Sequence, residues 1–408
     1  MDTTAAKPAL SRSLNLTLAV LFGLGVTVGA GIYVLIGATA SRAGIHAPLA
    51  FLVAAIVMAP TAASFAELAT RWPVSAGEAA FVREGFGSDR LALIVGFMVA
   101  AVGVISAAAI ARGSSGYIRD FVDLPTPIVT VGVVLLMGGI AARGILESVT
   151  VASIMTLIEI GGLLVIVIAG AIAVPDIGSR APELWSGLSD TGVLTAMLST
   201  SLLAFFAFIG FEGLANIAEE VIEPQRNLPR AIFLTLAIST LLYMSVVWVT
   251  VISVPHDELG TAQAPLSLVF RRLTGASPSA ISAIAIVATA NGIIVQMVMA
   301  SRVIYGLADR GMLPAALARI HPTTSSPIVA AALVVGLVLC LAVVFPLESL
   351  AELTSILTLL IFASVNAALV NIKYRGISGP AGGFVVPIIV PIAGVLLCLG
   401  LGAAAIWG

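Results

Sequence analysis

The sequence predicts an all-α integral membrane protein with about eleven transmembrane helices, on three observations. Of its 408 residues, 60% are hydrophobic and only 10% charged, against roughly 45–50% and 25% in an ordinary soluble domain. Apolar runs of the roughly 20 residues needed to cross a bilayer recur along nearly the whole chain. Two of these runs are irregular where a plain membrane helix has no need to be. Gly23 to Gly37 reads GLGVTVGAGIYVLIG, and a later run places Glu212 between Gly210 and Gly213.

Taken in order, the runs fall near 14–40, 47–70, 91–117, 126–142, 149–173, 193–218, 230–253, 279–305, 327–346, 350–372 and 384–407. With the N-terminus inside, thirteen of the nineteen Lys and Arg residues, Lys7, Arg71 and Arg226 among them, fall in inner segments and six in outer ones. The positive-inside rule therefore places the N-terminus in the cytoplasm. Residues 1–13 read as a cytoplasmic tail, 14–173 as a first five-helix repeat, 193–375 as a second, and 384–407 as an additional C-terminal helix. The apolar run from Leu14 outlasts a signal-peptide core and lacks its cleavage pattern, so the tail is expected to persist. Between spans, 71–89 mixes charge with apolar positions as an amphipathic inner-surface segment would. An outer counterpart is 256–273, where Pro265 can open a short helix.

Composition also excludes function classes. Cys340 and Cys398 both lie in apolar runs, which indicates neither a disulfide framework nor a metal cluster. His46, His256 and His321 stand at segment edges without metal-ligand spacing. No basic patch suggests nucleic acid, and no paired acids, GxSxG or HExxH motif suggests an intramembrane enzyme. Gly23 to Gly29 has GxGxxxG spacing with no strand before it, which is not a dinucleotide loop. No cofactor or metal is expected.

The first glycine-rich run reads as a broken helix. Backbone left unpaired at bilayer depth is tolerated only beside protein or a wet cavity, and amides freed around Gly29, Ala30 and Gly31 would sit at the positive end of a half-helix. The sixth run, with Gly210 and Gly213 bracketing Glu212, is its counterpart. Interrupted first and sixth spans are the sequence pointer to an inverted-repeat transporter, with spans one to five pairing with six to ten.

GAGIYVLIG at 29–37, SFAELATRWPVSAGEAAFV at 64–82, LAFFAFIGFEGLANIAEEVIEPQRNLPRAI at 203–232 and SRVIYGLADRGMLP at 301–314 resemble the amino acid, polyamine and organocation (APC) superfamily of permeases. The resemblance runs from about residue 14 to 375, and the block ending in EEVIEPQRNLPRAI is its most specific part. It implies a 5+5 inverted-repeat fold of the leucine-transporter type in the cell membrane, and alternating-access transport of amino acids or related amines. It further implies that a substrate carboxylate meets amides of the first break and the amino group meets carbonyls of both, which points to Thr27, Val28, Gly29, Ala30 and Gly31 opposite Phe206, Ala207 and Ile209. Many relatives have twelve spans, whereas this chain ends at Gly408 after eleven. Proton-coupled relatives commonly carry a lysine in the fifth span near the first break; here the matching residue is Glu159.

An ionised carboxylate in mid-span costs about 2.5–3.5 kcal/mol on insertion scales, so Glu159 must be protonated or partnered. Either it takes up and releases a coupling proton as the site closes and opens, or it stays protonated as a structural acid. Glu212 can cap freed amides or meet a cationic substrate side chain. Glu67, Glu219, Glu220 and Arg302, at inner ends of spans, can form a cytoplasmic gate or a solvated charge cluster, each exposed pair contributing only about 0–1 kcal/mol. Gly25 and Gly29 also fit a GxxxG helix contact. Phe205, Phe206, Phe208 and Phe211 suit packing, with part of the set lining the site. Thr289 and Asn291 in span eight offer oxygens for sodium, but Glu159 favours the proton. The expected activity is secondary active transport, most simply proton symport, with exchange without proton flow or amino acid sensing without transport as alternatives.

Overall fold

The computed structural model describes residues 12–72, 77–143, 149–321, 326–377, 379 and 382–407. Of the expected N-terminal tail, only Arg12 and Ser13 fall among them; Lys7 lies outside the described residues, as do 73–76 of the inner-surface segment. The described residues form α1 (Leu16–Thr27), α2 (Ala30–Ala43), α3 (Ala47–Arg71), α4 (Gly77–Phe86), α5 (Asp89–Ile118), α6 (Thr126–Ala142), α7 (Val149–Ala173) and α8 (Thr191–Phe208). They continue with α9 (Gly213–Asn216), α10 (Pro224–Ser253), α11 (His256–Thr261), α12 (Pro265–Thr274), α13 (Ser279–Asp309), α14 (Ile328–Val344), α15 (Leu347–Tyr374) and α16 (Ile389–Trp407).

Among the described residues, seven helical runs are long and apolar enough to cross a membrane, and four shorter apolar helices accompany them. The eleven expected spans correspond to α1 with α2, α3, α5, α6, α7, α8 with α9, α10, α13, α14, α15 and α16. Both expected surface segments contain helices: α4 on one face of the bundle, and the α11–α12 hairpin on the other, where Pro265 opens α12. The first is the α4 face and the second the hairpin face. Two boundaries differ from expectation. The eleventh span begins at Ile389 rather than near 384. The seventh span begins at Pro224 rather than near 230, because Glu223 adopts a left-handed φ of 49° and turns the chain into a helix start with proline in its first turn. The polar segment QRNLPR is therefore helical although its composition reads as a loop.

Packing repeats with a period of five spans. The first span packs on the seventh (α1 on α10) as the second packs on the sixth (α3 on α8). The third packs on the tenth (α5 on α15) as the eighth packs on the fifth (α13 on α7), and α5 on α14 is matched by α13 on α6. Exchanging each span for the one five positions away maps this set of contacts onto itself, as two like repeats require. The most extensive pair, α5 with α13, is built on small residues: a Cβ added at Gly103 would lie 3.1 Å from both the Ala300 side chain and the Gln296 carbonyl. Close backbone approach replaces the hydrophobic drive that lipid does not provide.

Candidate functional site

The first span loses its helix at Val28 and Gly29, between the last residue of α1 and the first of α2; Gly29 takes ψ −132°, outside the helical region. The sixth span loses its helix from Ile209 to Glu212. Gly210 there has φ 132°, a conformation open to glycine and strained for other residues. The breaks lie against each other. A Cβ at Gly31 would come within 2.7 Å of the Ala207 Cα, and a side chain at Gly210 would strike the Val26 carbonyl.

Two helix ends of opposite polarity thus meet inside the bundle. The first amides of α2 have no acceptor within their own helix, and the last carbonyls of α1 and α8 have no donor within theirs. Tyr243 of α10, fully buried, supplies one: its hydroxyl lies 2.7 Å from the Thr27 carbonyl and 2.9 Å from that of Ala207. With one proton it can donate fully to only one of the two. Among the described residues, the buried Thr27 Oγ1 there has no hydrogen-bond partner. Val28, Ala30, Phe206, Ala207 and Ile209 are all buried around this junction.

Glu159 of α7 is fully buried beside the first break, and a Cβ at Gly29 would lie 4.0 Å from its Oε2. Its main-chain carbonyl accepts a 2.7 Å bond from the Tyr33 hydroxyl, and the Tyr33 carbonyl accepts a 2.6 Å bond from Tyr117. Glu212 turns back to its own break, where Oε2 accepts the Gly210 amide at 2.8 Å. It also lines a cavity of about 40 Å³ with Glu78 of α4, Gln296, Thr358 and Phe362, room for a water molecule. Burial pushes the Glu78 carboxyl above its ordinary range.

The four residues considered for a gate differ in burial. Glu67 is fully buried and accepts from Arg71 (2.7 and 2.9 Å), from Lys373 (2.7 Å) and from the Val386 amide (2.8 Å). It is a latch joining α3, α15 and the approach to α16, not a solvated charge, because two cations and an amide together compensate its burial. Glu219 and Glu220 are part-exposed on the α4 face and Arg302 is exposed on α13, whereas the ion-pair partners of Glu67 are Arg71 and Lys373. The Glu220 carbonyl instead accepts the amides of Ser13 and Leu14 at 3.0 Å, tying the chain before α1 to the chain after α9.

Other expectations resolve similarly. Phe205, Phe208 and Phe211 are buried edge-on or tilted against Phe362, Tyr243, Phe51 and Phe65, which makes them packing groups. Thr289 gives its hydroxyl to its own helix, at 2.8 Å from the Ala285 carbonyl. Tyr243, Tyr33, Glu78 and Lys373 were not anticipated. A tyrosine in an apolar run is the available signal for the first two, since a buried hydroxyl must find a partner.

At the opposite end of the bundle, Arg42 of α2 pairs with Glu348 (2.8 Å) and Glu352 (2.5 Å) of α15. This clasp holds the far end of the first span to the tenth on the hairpin face.

Comparison with known proteins agrees with this architecture. The sequence pattern of the family described as Amino acid permease matches residues 14–407. The branched-chain amino acid permease BcaP of Bacillus subtilis (strain 168) is 27% identical over 401 residues, covering 91% of this chain and 83% of that protein. The vacuolar cationic amino acid transporter 4 of Arabidopsis thaliana is 31% identical over 389 residues, 90% of this chain but only 64% of its own length. The methylthioribose transporter of Bacillus subtilis (strain 168) is 27% identical over 422 residues, 98% of this chain and 89% of that protein.

Proposed function

Because the chain belongs to the amino acid permease family, we propose that it carries an α-amino acid across the cell membrane by alternating access to the junction of its two helix breaks, together with a proton. The two repeats are then 14–173 and 193–375, and the α4 face is cytoplasmic, on the side to which the sequence topology assigns thirteen of the nineteen basic residues.

The observation that carries the reading is the meeting of the start of α2 with the ends of α1 and α8. Amides of Gly29, Ala30 and Gly31 suit a carboxylate, and the Thr27 and Ala207 carbonyls suit an ammonium. An α-amino acid carries both groups on one carbon. In this state the Tyr243 hydroxyl stands over those two carbonyls, holding the place an ammonium would take. Glu159, beside Gly29, is close enough to the carboxylate subsite for its protonation to depend on whether the site is filled and wet. Glu212, bound to Gly210, keeps the second break in shape.

The relatives' names point to branched-chain and cationic amino acids, so L-leucine and L-arginine are the substrates to assay first. In proteoliposomes, an inward-directed proton gradient should drive their accumulation. Glu159→Gln should lose gradient-driven accumulation and retain exchange of labelled for unlabelled amino acid. Accumulation by the variant with unchanged pH dependence would remove the proton role; exchange without gradient-driven accumulation in the wild type would make the protein an exchanger.

A further inference from the structure

The hairpin face holds a second, larger pocket of about 470 Å³, between the end of α5 and the α11–α12 hairpin, far from both helix breaks in sequence. Its size falls within the roughly 300–1,000 Å³ of small-molecule sites. Both charge signs line it: Arg119 and Asp120 from the end of α5, Glu258 from α11 and Arg271 from α12, with Leu268 as an apolar wall.

Part of this charge is engaged with protein and part is not. Arg119 donates through Nη1 to Gln263 and, at 3.3 Å, to Thr126, while its buried Nε has no hydrogen-bond partner among the described residues. Asp120 accepts from Ser282 through Oδ2 at 2.5 Å, and Glu258 accepts from Arg272 through Oε2 at 2.5 Å. Among the described residues the second oxygen of each carboxylate has no protein partner, and the exposed Arg271 guanidinium has none either. The pocket therefore offers a donor set to an anionic group and an acceptor set to a cationic one, across a space that admits a small molecule.

Its floor leads toward the break. Gly116 packs so closely on the Gln263 carbonyl that no side chain fits between them. The next residue, Tyr117, donates to the Tyr33 carbonyl, and Tyr33 donates to the carbonyl of Glu159. The hairpin also roofs α2: a Cβ at Gly37 would lie 2.7 Å from the Leu259 carbonyl. Half-helix α2 cannot swing toward this face unless the hairpin moves.

We propose that this pocket is a second binding site for an α-amino acid zwitterion, a loading site on the outer face, with its carboxylate between Arg119 and Arg271 and its ammonium on Asp120 and Glu258. This inference rests on the transport reading above. Occupancy separates the hairpin from α5 and passes the amino acid toward the site at the breaks.

Equilibrium binding of radiolabelled L-leucine and L-arginine to the purified full-length protein tests it, alongside uptake in proteoliposomes. The wild type should bind two molecules of its substrate per chain. Arg271→Ala, at an exposed position, should bind one and raise KM for uptake about tenfold, in line with the loss of one charge-assisted contact. Leu268→Trp, which fills the pocket without altering its charge, should also bind one. Uptake by a wild type that binds a single molecule, or a stoichiometry and KM unchanged in both variants, would overturn the loading site alone. Absence of both binding and uptake in the wild type, for both amino acids, would overturn the transport reading and this proposal with it.

Discussion

Tyr243 shows what a single hydroxyl does at the junction of the breaks. It is the protein donor that reaches both the Thr27 and the Ala207 carbonyl, so Tyr243→Phe leaves two buried acceptors with less than they need. We expect a loss of about 1–3 kcal/mol, seen as a lower thermal unfolding midpoint in detergent. The loss should shrink when saturating amino acid supplies ammonium protons to the same carbonyls. Glu78 makes a different case. Its folded-state carboxyl holds its proton more tightly than the ordinary value of 4.5. The folded state therefore loses stability as pH rises from that value through the raised one. Glu78→Gln should remove the penalty, giving a variant more stable than wild type near pH 7 and equal to it near pH 4. A midpoint difference independent of pH would contradict this. Glu159 was legible in the sequence because a carboxylate in an apolar run has to be explained. Tyr243 was not, since nothing in the linear chain places the seventh span over carbonyls 216 and 36 residues away. Glu67 was visible as a charge, but its latch role depends on Lys373, 306 residues on.

At the scale of elements, both breaks were readable from glycine content, and their exact shape was not. The first is a two-residue interruption between α1 and α2; the second runs over four residues and leaves only the short α9 beyond it. Glycine density marks where a helix can open, whereas the extent of opening is fixed by what packs against it, here Val26 on Gly210 and Ala207 on Gly31. The clasp between α2 and α15 was out of reach of sequence reading for the same reason. Its three side chains are 32–45% exposed, so each pair contributes little to overall stability. On the proposed alternating access, its effect belongs to the balance between closed and open states of the hairpin face. Arg42→Ala should leave the unfolding midpoint within about 0–1 kcal/mol of wild type. It should also speed modification, by an impermeant thiol reagent, of a cysteine introduced at Thr27. The exposed Cys340 is replaced by serine for this measurement, and the buried Cys398 is retained. Equal labelling rates with and without Arg42 would show that the clasp does not hold that face closed.

Over the whole molecule, eleven apolar runs, two of them broken five spans apart, were enough to anticipate an all-α two-repeat architecture, and the reciprocal helix contacts carry the same period. Direct identity between the halves is too weak to show it, because the repeat is kept in packing geometry and not in side-chain type. The helical start of α10 in a polar segment was missed since composition marks membrane depth and not the end of a helix. Across this architecture the start of one half-helix meets the ends of two others, and on the proposed function the ligand carries a free carboxylate and a free ammonium on the same carbon. Thermal unfolding of the purified protein with L-leucine or L-arginine, compared with the methyl ester and the N-acetyl derivative of each, tests it most directly. A ligand at a hundred times its Kd stabilises by about 2.7 kcal/mol. The account predicts that shift for at least one parent amino acid and for neither of its derivatives; equal stabilisation by the ester or the N-acetyl form would contradict it.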